Sequence, residues 1–523
     1  MKKIILLTQE SLKAVFAGMF IFILLDVIFL SFQDYCDKQK FIMSNLGLII
    51  IALAVLAALT IVLYRKYSSI EKMLSKNWQI KITAAVILLF VIQIFISSRI
   101  TFFTGWDARN VFLNAQRIAD SNFDKLDNLY FSRFPNNIFI AGIFSEIFKL
   151  CSIFGIKDNQ NQLIALAIIQ CILSSAAGLL IFLTIKDWLK SFTLSWFGWI
   201  LYVILLGTSP WLVVPYSDSM GILIPILILS IYHFIGNGKH IYLKWAAVST
   251  LAYIGYHIKP QTLIVFIAVL IIEAVHLISE TDKKKLKKAA AVIAVITAVV
   301  VVSSAANKFY TKSLGFKLDQ NKEMGMMHFA MMGLNNVTDG VYYAEDVMYS
   351  FNQPDVESRN AANMKVIRER IKNYNSIDFM MHIIRKALIN FNDGTFAYGK
   401  EGEFYVKVYP DKDEVISPML RNIFWVSGKN YGVFAAVKQS VWLMNLLLMI
   451  SFVIGYSKFR IEGKEQQVLY LSLIGITVFE MIFEPRARYL LVYGSFFILA
   501  GVIGMQYVTK RLKRNLIHEK ENI

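Results

Sequence analysis

The chain has 523 residues, of which 56% are hydrophobic and 17% charged, and it carries a formal net charge of +17. A soluble domain of that length lacks the polar surface to sustain such a balance, so a soluble globular fold is excluded. No basic stripe is interleaved with aromatics in the long polar loops, and nucleic acid is not an expected partner.

The N-terminus, MKKIILLTQESLKAVFAGMFIFILLDVIFLSF, starts with the lysines of a signal peptide, but its apolar run is too long and lacks a small-x-small cleavage site. It predicts an uncleaved membrane anchor. Roughly thirteen apolar stretches reach, or nearly reach, the length that crosses a ~30 Å hydrocarbon layer. In chain order they are 13–32, 41–63, 82–100, 136–156, 162–185, 194–214, 217–235, 243–257, 260–279, 289–306, 435–456, 467–483 and 488–508. The expected fold is an all-α polytopic membrane protein with about 12–14 transmembrane helices.

Four regions follow. Residues 1–80 form a helix pair with a basic loop, and 81–306 a membrane module containing a polar loop, 101–135. Residues 307–434 are too long and polar for a mere connection. Within them 360–391 reads as two helices parted near YNS and 393–410 as strand-like, so a mixed α/β loop domain is expected there. Residues 435–523 supply the closing helices and a basic tail.

Lysine- and arginine-rich short loops mark the cytoplasmic side. They are 64–81, TDKKKLKK (281–288), KFRIEGK (458–464) and KRLKR (510–514), together with Lys2 and Lys3. Both termini are then cytoplasmic, while 101–135 and 307–434, each near charge balance, lie outside. The inner charge also suits anionic membrane lipids. Termini on one side require an even number of crossings, and the mismatch falls between 136 and 193. A break of 162–185 at SSAAG (174–178) is preferred over a re-entrant hairpin, because small residues permit a break. Cys36, Cys151 and Cys171 show neither pairing nor metal-ligand spacing and read as small buried side chains.

Five polar groups recur where helices meet the outer face: GWDARN with Asp107, YFSRFPNN (130–137), PYSDSMG with Asp218, YHIKPQ with His257 and Lys259, and EPRARY with Glu484, Arg486 and Arg488. Carboxylates can deprotonate a hydroxyl or stabilise charge on a sugar ring. Arginine forks and a lysine bind phosphate. The mixture suits a lipid-phosphate donor meeting a hydroxyl acceptor.

The order of these motifs resembles the GT-C membrane glycosyltransferases, in particular the family 39 type that includes protein O-mannosyltransferases and aminoarabinose transferases. The resemblance spans roughly 80–510, through short motifs. It implies a polyprenyl-phosphate sugar donor, a glycan, lipid or protein acceptor, inverting chemistry, and a plasma-membrane enzyme with an extracytoplasmic site. Asp107 takes the family's acidic role, with Arg486 and Arg488 near the lipid phosphate and Lys259 a second phosphate contact. Two departures stand out: two helices precede the acidic loop, and Ala108 follows Asp107 where an acidic pair is common. Asp218, then Asp120, are candidates for the second carboxylate. Arg109, Arg133, His257 and Glu484 are candidate substrate contacts. No cofactor is implied with certainty; a divalent cation stays open, although scattered carboxylates make a poor octahedral site.

Other readings compete. Asp107 could cap the amphipathic helix ARNVFLNAQRIAD, Asp218 could mark a helix start, and Arg488 could snorkel to headgroups. The methionine-rich 323–336 reads as packing before it reads as a lid over an acceptor groove. At the level of the whole chain, a polymerase or ligase of lipid-linked glycans would rest on basic residues in the long late loop. A transporter or flippase would show internal repeats and paired broken helices, and no repeat is evident.

Overall fold

A computed structural model describes residues 2–521 except 237, 239 and 279–282, and except 403. Residues 281–282 of the basic TDKKKLKK run, and the side chains of 2–3, 283 and 512–521, lie outside the described residues. The chain is helical almost throughout, and among the described residues ten helices are long and apolar enough to cross a membrane.

The order begins with α1 (Lys2–Phe29), α2 (Asn45–Ser75) and α3 (Trp78–Ile100), then β1 (Phe102–Thr104), α4 (Trp106–Ala119), α5 (Asn128–Arg133), α6 (Ile138–Ile153) and α7 (Asn159–Leu189). After α8 (Phe192–Tyr202) the helix loosens into a π-turn over 203–207 and a 3₁₀ turn over 210–213. The carbonyls released there, Ile204 and Leu205, accept from the buried Lys438 Nζ at 2.9 Å each, as a non-helical backbone inside a membrane requires. Then come α9 (Ser217–Met220), α10 (Ile224–Phe234), α11 (Ile241–Ile258), α12 (Leu263–Ile278) and α13 (Lys283–Ser313).

The segment SSAAG does not break its helix. α7 runs unbroken for 31 residues. Its small residues serve close packing instead: Ser174 and Ser175 bond Gln93 of α3 at 3.1 and 2.9 Å, and Tyr202 lies against Gly178. The parity mismatch is resolved by α6. Gln93–Ser174 and a Trp78–Phe182 stack at 6.1 Å make α7 antiparallel to α3, with its C-terminal end beside Glu71, which accepts from Phe192 N at 2.7 Å. Gln170 already meets the 214–219 turn, through Val214 O at 3.1 Å and Ser219 Oγ at 2.8 Å. The preceding three turns of α7, about 16 Å, therefore project beyond that end of the bundle. At their tip Asn159 and Gln162 accept from Gln116, at the end of α4, at 2.8 and 2.6 Å. α6 thus starts and finishes at one end of the bundle, lying along α4 with Phe148 against Phe112. It does not cross. Without α6, twelve of the thirteen apolar stretches remain as candidate crossings, an even number.

The 307–434 segment is not a mixed α/β domain. It contains α14 (Met326–Gly333), α15 (Ala344–Phe351), α16 (Val356–Asn373), α17 (Ser376–Phe391), a four-residue β2 (Tyr405–Val408) and α18 (Ile416–Phe424). The break between α16 and α17 falls at Tyr374–Asn375, as the sequence predicts. β2 pairs antiparallel with β1, Phe102 opposite Val408, so the late segment is stitched to the first polar loop. Met331 and Met332 of α14 are buried, as packing residues would be, while Met326 is exposed. α19 (Tyr431–Ile450), α20 (Gly463–Ile482) and α21 (Gly494–Glu521) complete the bundle. Cys151 and Cys171 are buried and Cys36 is half-buried, all as free thiols.

Candidate functional site

β1 ends at Thr104, and the chain turns into α4 through Gly105 and Trp106, whose φ of 43° lies in the left-handed region. A bulky residue held there is a backbone outlier of the kind found at functional sites. The turn places Asp107 in the first helical turn but not at the cap: Gly105 holds that position and makes no side-chain cap bond. The Asp107 carboxylate is used otherwise. Oδ1 accepts from the Tyr130 hydroxyl at 2.9 Å, and Oδ2 lies 3.5 Å from the Tyr216 hydroxyl. Asn137 closes the ring, donating to the Tyr130 oxygen at 2.7 Å and facing the Tyr216 hydroxyl through Oδ1 at 3.2 Å. Burial pushes the Asp107 carboxyl above its ordinary range, while the Tyr130 bond and the nearby Arg488 pull it down.

Beside this ring lies an ion network. Arg488 Nε is 3.0 Å from Glu401 Oε2 and 4.0 Å from Asp218 Oδ2. Its guanidinium lies 4.7 Å from the Trp106 ring and 5.7 Å from that of Tyr216, a cation–π arrangement linking it to the Asp107 ring. Among the described residues its two terminal amines donate no hydrogen bond within the protein. Lys259 Nζ pairs with Asp218 Oδ1 at 2.6 Å and sits over Tyr489 at 3.9 Å. Arg486 meets three carboxylates: Glu484 at 2.9 Å, Asp37 at 3.1 Å and Glu401 at 3.4 Å. Its backbone N–H donates to Glu480 Oε2 at 3.3 Å.

The structure therefore brings together Asp107, Asp218, Lys259, Glu484, Arg486 and Arg488. Asp218 is fully buried between Lys259 and Arg488. Four candidates lie elsewhere. Arg133 covers Phe351 of α15 at 3.6 Å. His257 packs on Phe139, Tyr253 and Tyr256, with Asn307 Nδ2 at 3.5 Å from its Nε2. Arg109 is exposed on α4, and Asp120 is exposed at its C-cap. No cluster of three His, Cys, Asp or Glu side chains able to hold a metal occurs among the described residues.

Sequence reading passed over Tyr130, Asn137 and Tyr216, although each stands inside a motif it singled out. It also missed Asp37 and Glu401, which come from the α1–α2 connection and from a π-turn at 398–402. The YGKEG stretch holding Glu401 reads as strand by its alternation, and nothing local announces that it meets EPRARY.

A family model described as "conserved hypothetical integral membrane protein" matches residues 4–509. The chain belongs to that family. No curated protein and no solved structure matches it. Membership agrees with the helical polytopic fold, whose exposed apolar faces on α2, α3 and α13 would contact membrane lipids.

Proposed function

We propose that this integral membrane protein is a GT-C type glycosyltransferase, which moves a sugar from a polyprenyl-phosphate donor to a hydroxyl acceptor at the outer face of the plasma membrane. The observation that carries the reading is the Asp107 carboxylate, oriented by two tyrosine hydroxyls and set next to a guanidinium whose terminal amines are unused. A base and an anion-binding fork side by side are what transfer from a phosphate leaving group needs. The outward orientation rests on the lysine-rich loops lying at the opposite end of the bundle.

In this mechanism Asp107 accepts the proton of the acceptor hydroxyl, whose oxygen attacks the anomeric carbon as the bond from that carbon to the phosphate oxygen breaks. The departing phosphate gathers negative charge against the Arg488 fork, with Lys259 and Arg486 behind it. Asp218 is better suited to hold Lys259 and Arg488 in position than to act as a base, because it is already paired with both. The test uses the full chain in lipid nanodiscs with a panel of radiolabelled polyprenyl-phosphate sugars. Release of free polyprenyl phosphate from one donor, lost in a folded Asp107→Asn variant, is the expected result. No release from any donor would overturn the reading in favour of a polymerase or a transporter.

A further inference from the structure

The connection between α1 and α2 crosses the edge of the site. Its residues 35–39 are fastened at separate points on the late segment. The Tyr35 hydroxyl accepts from Asn392 at 2.7 Å, Cys36 N–H donates to Asp339 Oδ2 at 3.0 Å, and the buried Gln39 packs against Gly399. Between these points Asp37 adopts a φ of 54° and reaches Arg486. The three carboxylates on Arg486 are not equivalent. Glu484 is two residues away in the same turn, and Glu401 is shared with Arg488; their side chains are 9% and 10% exposed. Asp37 is 32% exposed, comes from irregular backbone, and contacts no other cation at hydrogen-bond range among the described residues. It is the partner that can leave at least cost, since it regains water on release.

We propose that residues 35–39 form a strap that closes the anion site, with Asp37 occupying the Arg486 guanidinium until a phosphate group displaces it. A phosphate monoester offers Arg486 paired oxygens with more charge than a carboxylate, and a diester offers them with equal charge, where Asp37 supplies one oxygen. Displacing Asp37 frees the middle of the strap while Tyr35 and Gln39 stay as its hinges. The helix pair at the N-terminus, which precedes the acidic loop, thereby acquires a role: it carries a gate. The proposal rests on the reading of Arg486 as an anion-binding residue.

Hydrogen exchange of the full chain in nanodiscs, read by mass spectrometry on peptides covering 35–39, tests the strap without requiring turnover. Asp37→Asn and Arg486→Gln, which break the pair from opposite sides, should each speed exchange there by about tenfold, after correction for intrinsic rates. Saturating polyprenyl phosphate should do the same to the wild type. If inorganic phosphate matches it, the phosphate group alone opens the strap; if only the lipid acts, the chain contributes as well. Unchanged exchange in both variants would overturn the strap whatever the donor proves to be. Faster exchange in both variants with no response to either phosphate compound would overturn the displacement, and with it the phosphate role of Arg486, while leaving the closure intact.

Discussion

Asp107 and Arg488 set the residue-scale expectations. A general base contributes on the order of 10²–10⁴-fold, and Asp107→Asn should cost that much in kcat while the protein stays folded. Burial holds the Asp107 carboxyl above its usual range. The base works only when ionised, so the rate should fall as pH falls through that raised value, at a higher pH than an ordinary carboxylate would give. Tyr130→Phe removes the hydroxyl that stabilises the carboxylate. It should move this acid limb to still higher pH, readable as a shifted kcat/KM profile rather than a uniform loss. Arg488→Lys keeps the charge but not the fork, and a loss of roughly 10–100-fold is expected, mainly in kcat. Asp107, Asp218, Lys259, Glu484, Arg486 and Arg488 were legible in the sequence because ionisable residues near a membrane surface are costly and therefore conspicuous; Asp37 and Glu401, in segments no motif singled out, were not. Tyr130, Asn137 and Tyr216 were not, because a hydroxyl or amide carries no such cost until its partner is known.

At the scale of single elements, the apolar part of each long helix was legible, since apolar length dictates it, but α1, α2, α13 and α21 run well past the expected bounds into polar sequence. Which helices cross was not legible. α6 is as apolar as a spanning segment, yet it lies at the rim, because the contacts that fix it to α4 and to the tip of α7 are long-range. Leu150, Ile153 and Phe154 are exposed on it, an apolar edge suited to the membrane surface. Single cysteines in a background with Cys36, Cys151 and Cys171 replaced by serine would check the assignment. Asn122→Cys and Lys157→Cys should react with an impermeant maleimide from the same side of the membrane, and Lys190→Cys from the opposite one. Labelling of position 157 from the side of 190 would restore α6 as a crossing.

For the molecule as a whole, the 307–434 segment decides how far the bundle is independent of its long loop. Sequence contrast makes this segment look separable, being polar and punctuated between apolar runs. Its C-terminal part instead enters the bundle. Phe391 is fully buried with Phe20 and Phe497, at 6.1 Å from each. The carbonyls of Phe391 and Phe396 accept from Trp442 and Trp211 at 2.8 Å. Asn392 joins Asn45 of α2 and Gln439 of α19 at 2.5 and 3.0 Å. Lys386 binds the carbonyls of Gly333 and Phe483 at 2.8 and 2.7 Å; burial lowers its pKa to about 7. These groups tie α1, α2, α19 and α20 together through the loop. Lys386→Met would leave the buried Phe483 carbonyl without a donor and Gly333 O with His382 alone, at a cost of about 1–3 kcal/mol, and should lower the thermal midpoint in detergent by several degrees. Replacing 320–425 with a flexible linker should yield aggregated protein rather than a stable core, since Trp442 Nε1 and Gln439 Oε1 would lose Phe391 and Gly394 as partners inside an apolar bundle. A monodisperse, helical product of that deletion would show that the membrane helices pack without the segment, and that its buried residues are passengers.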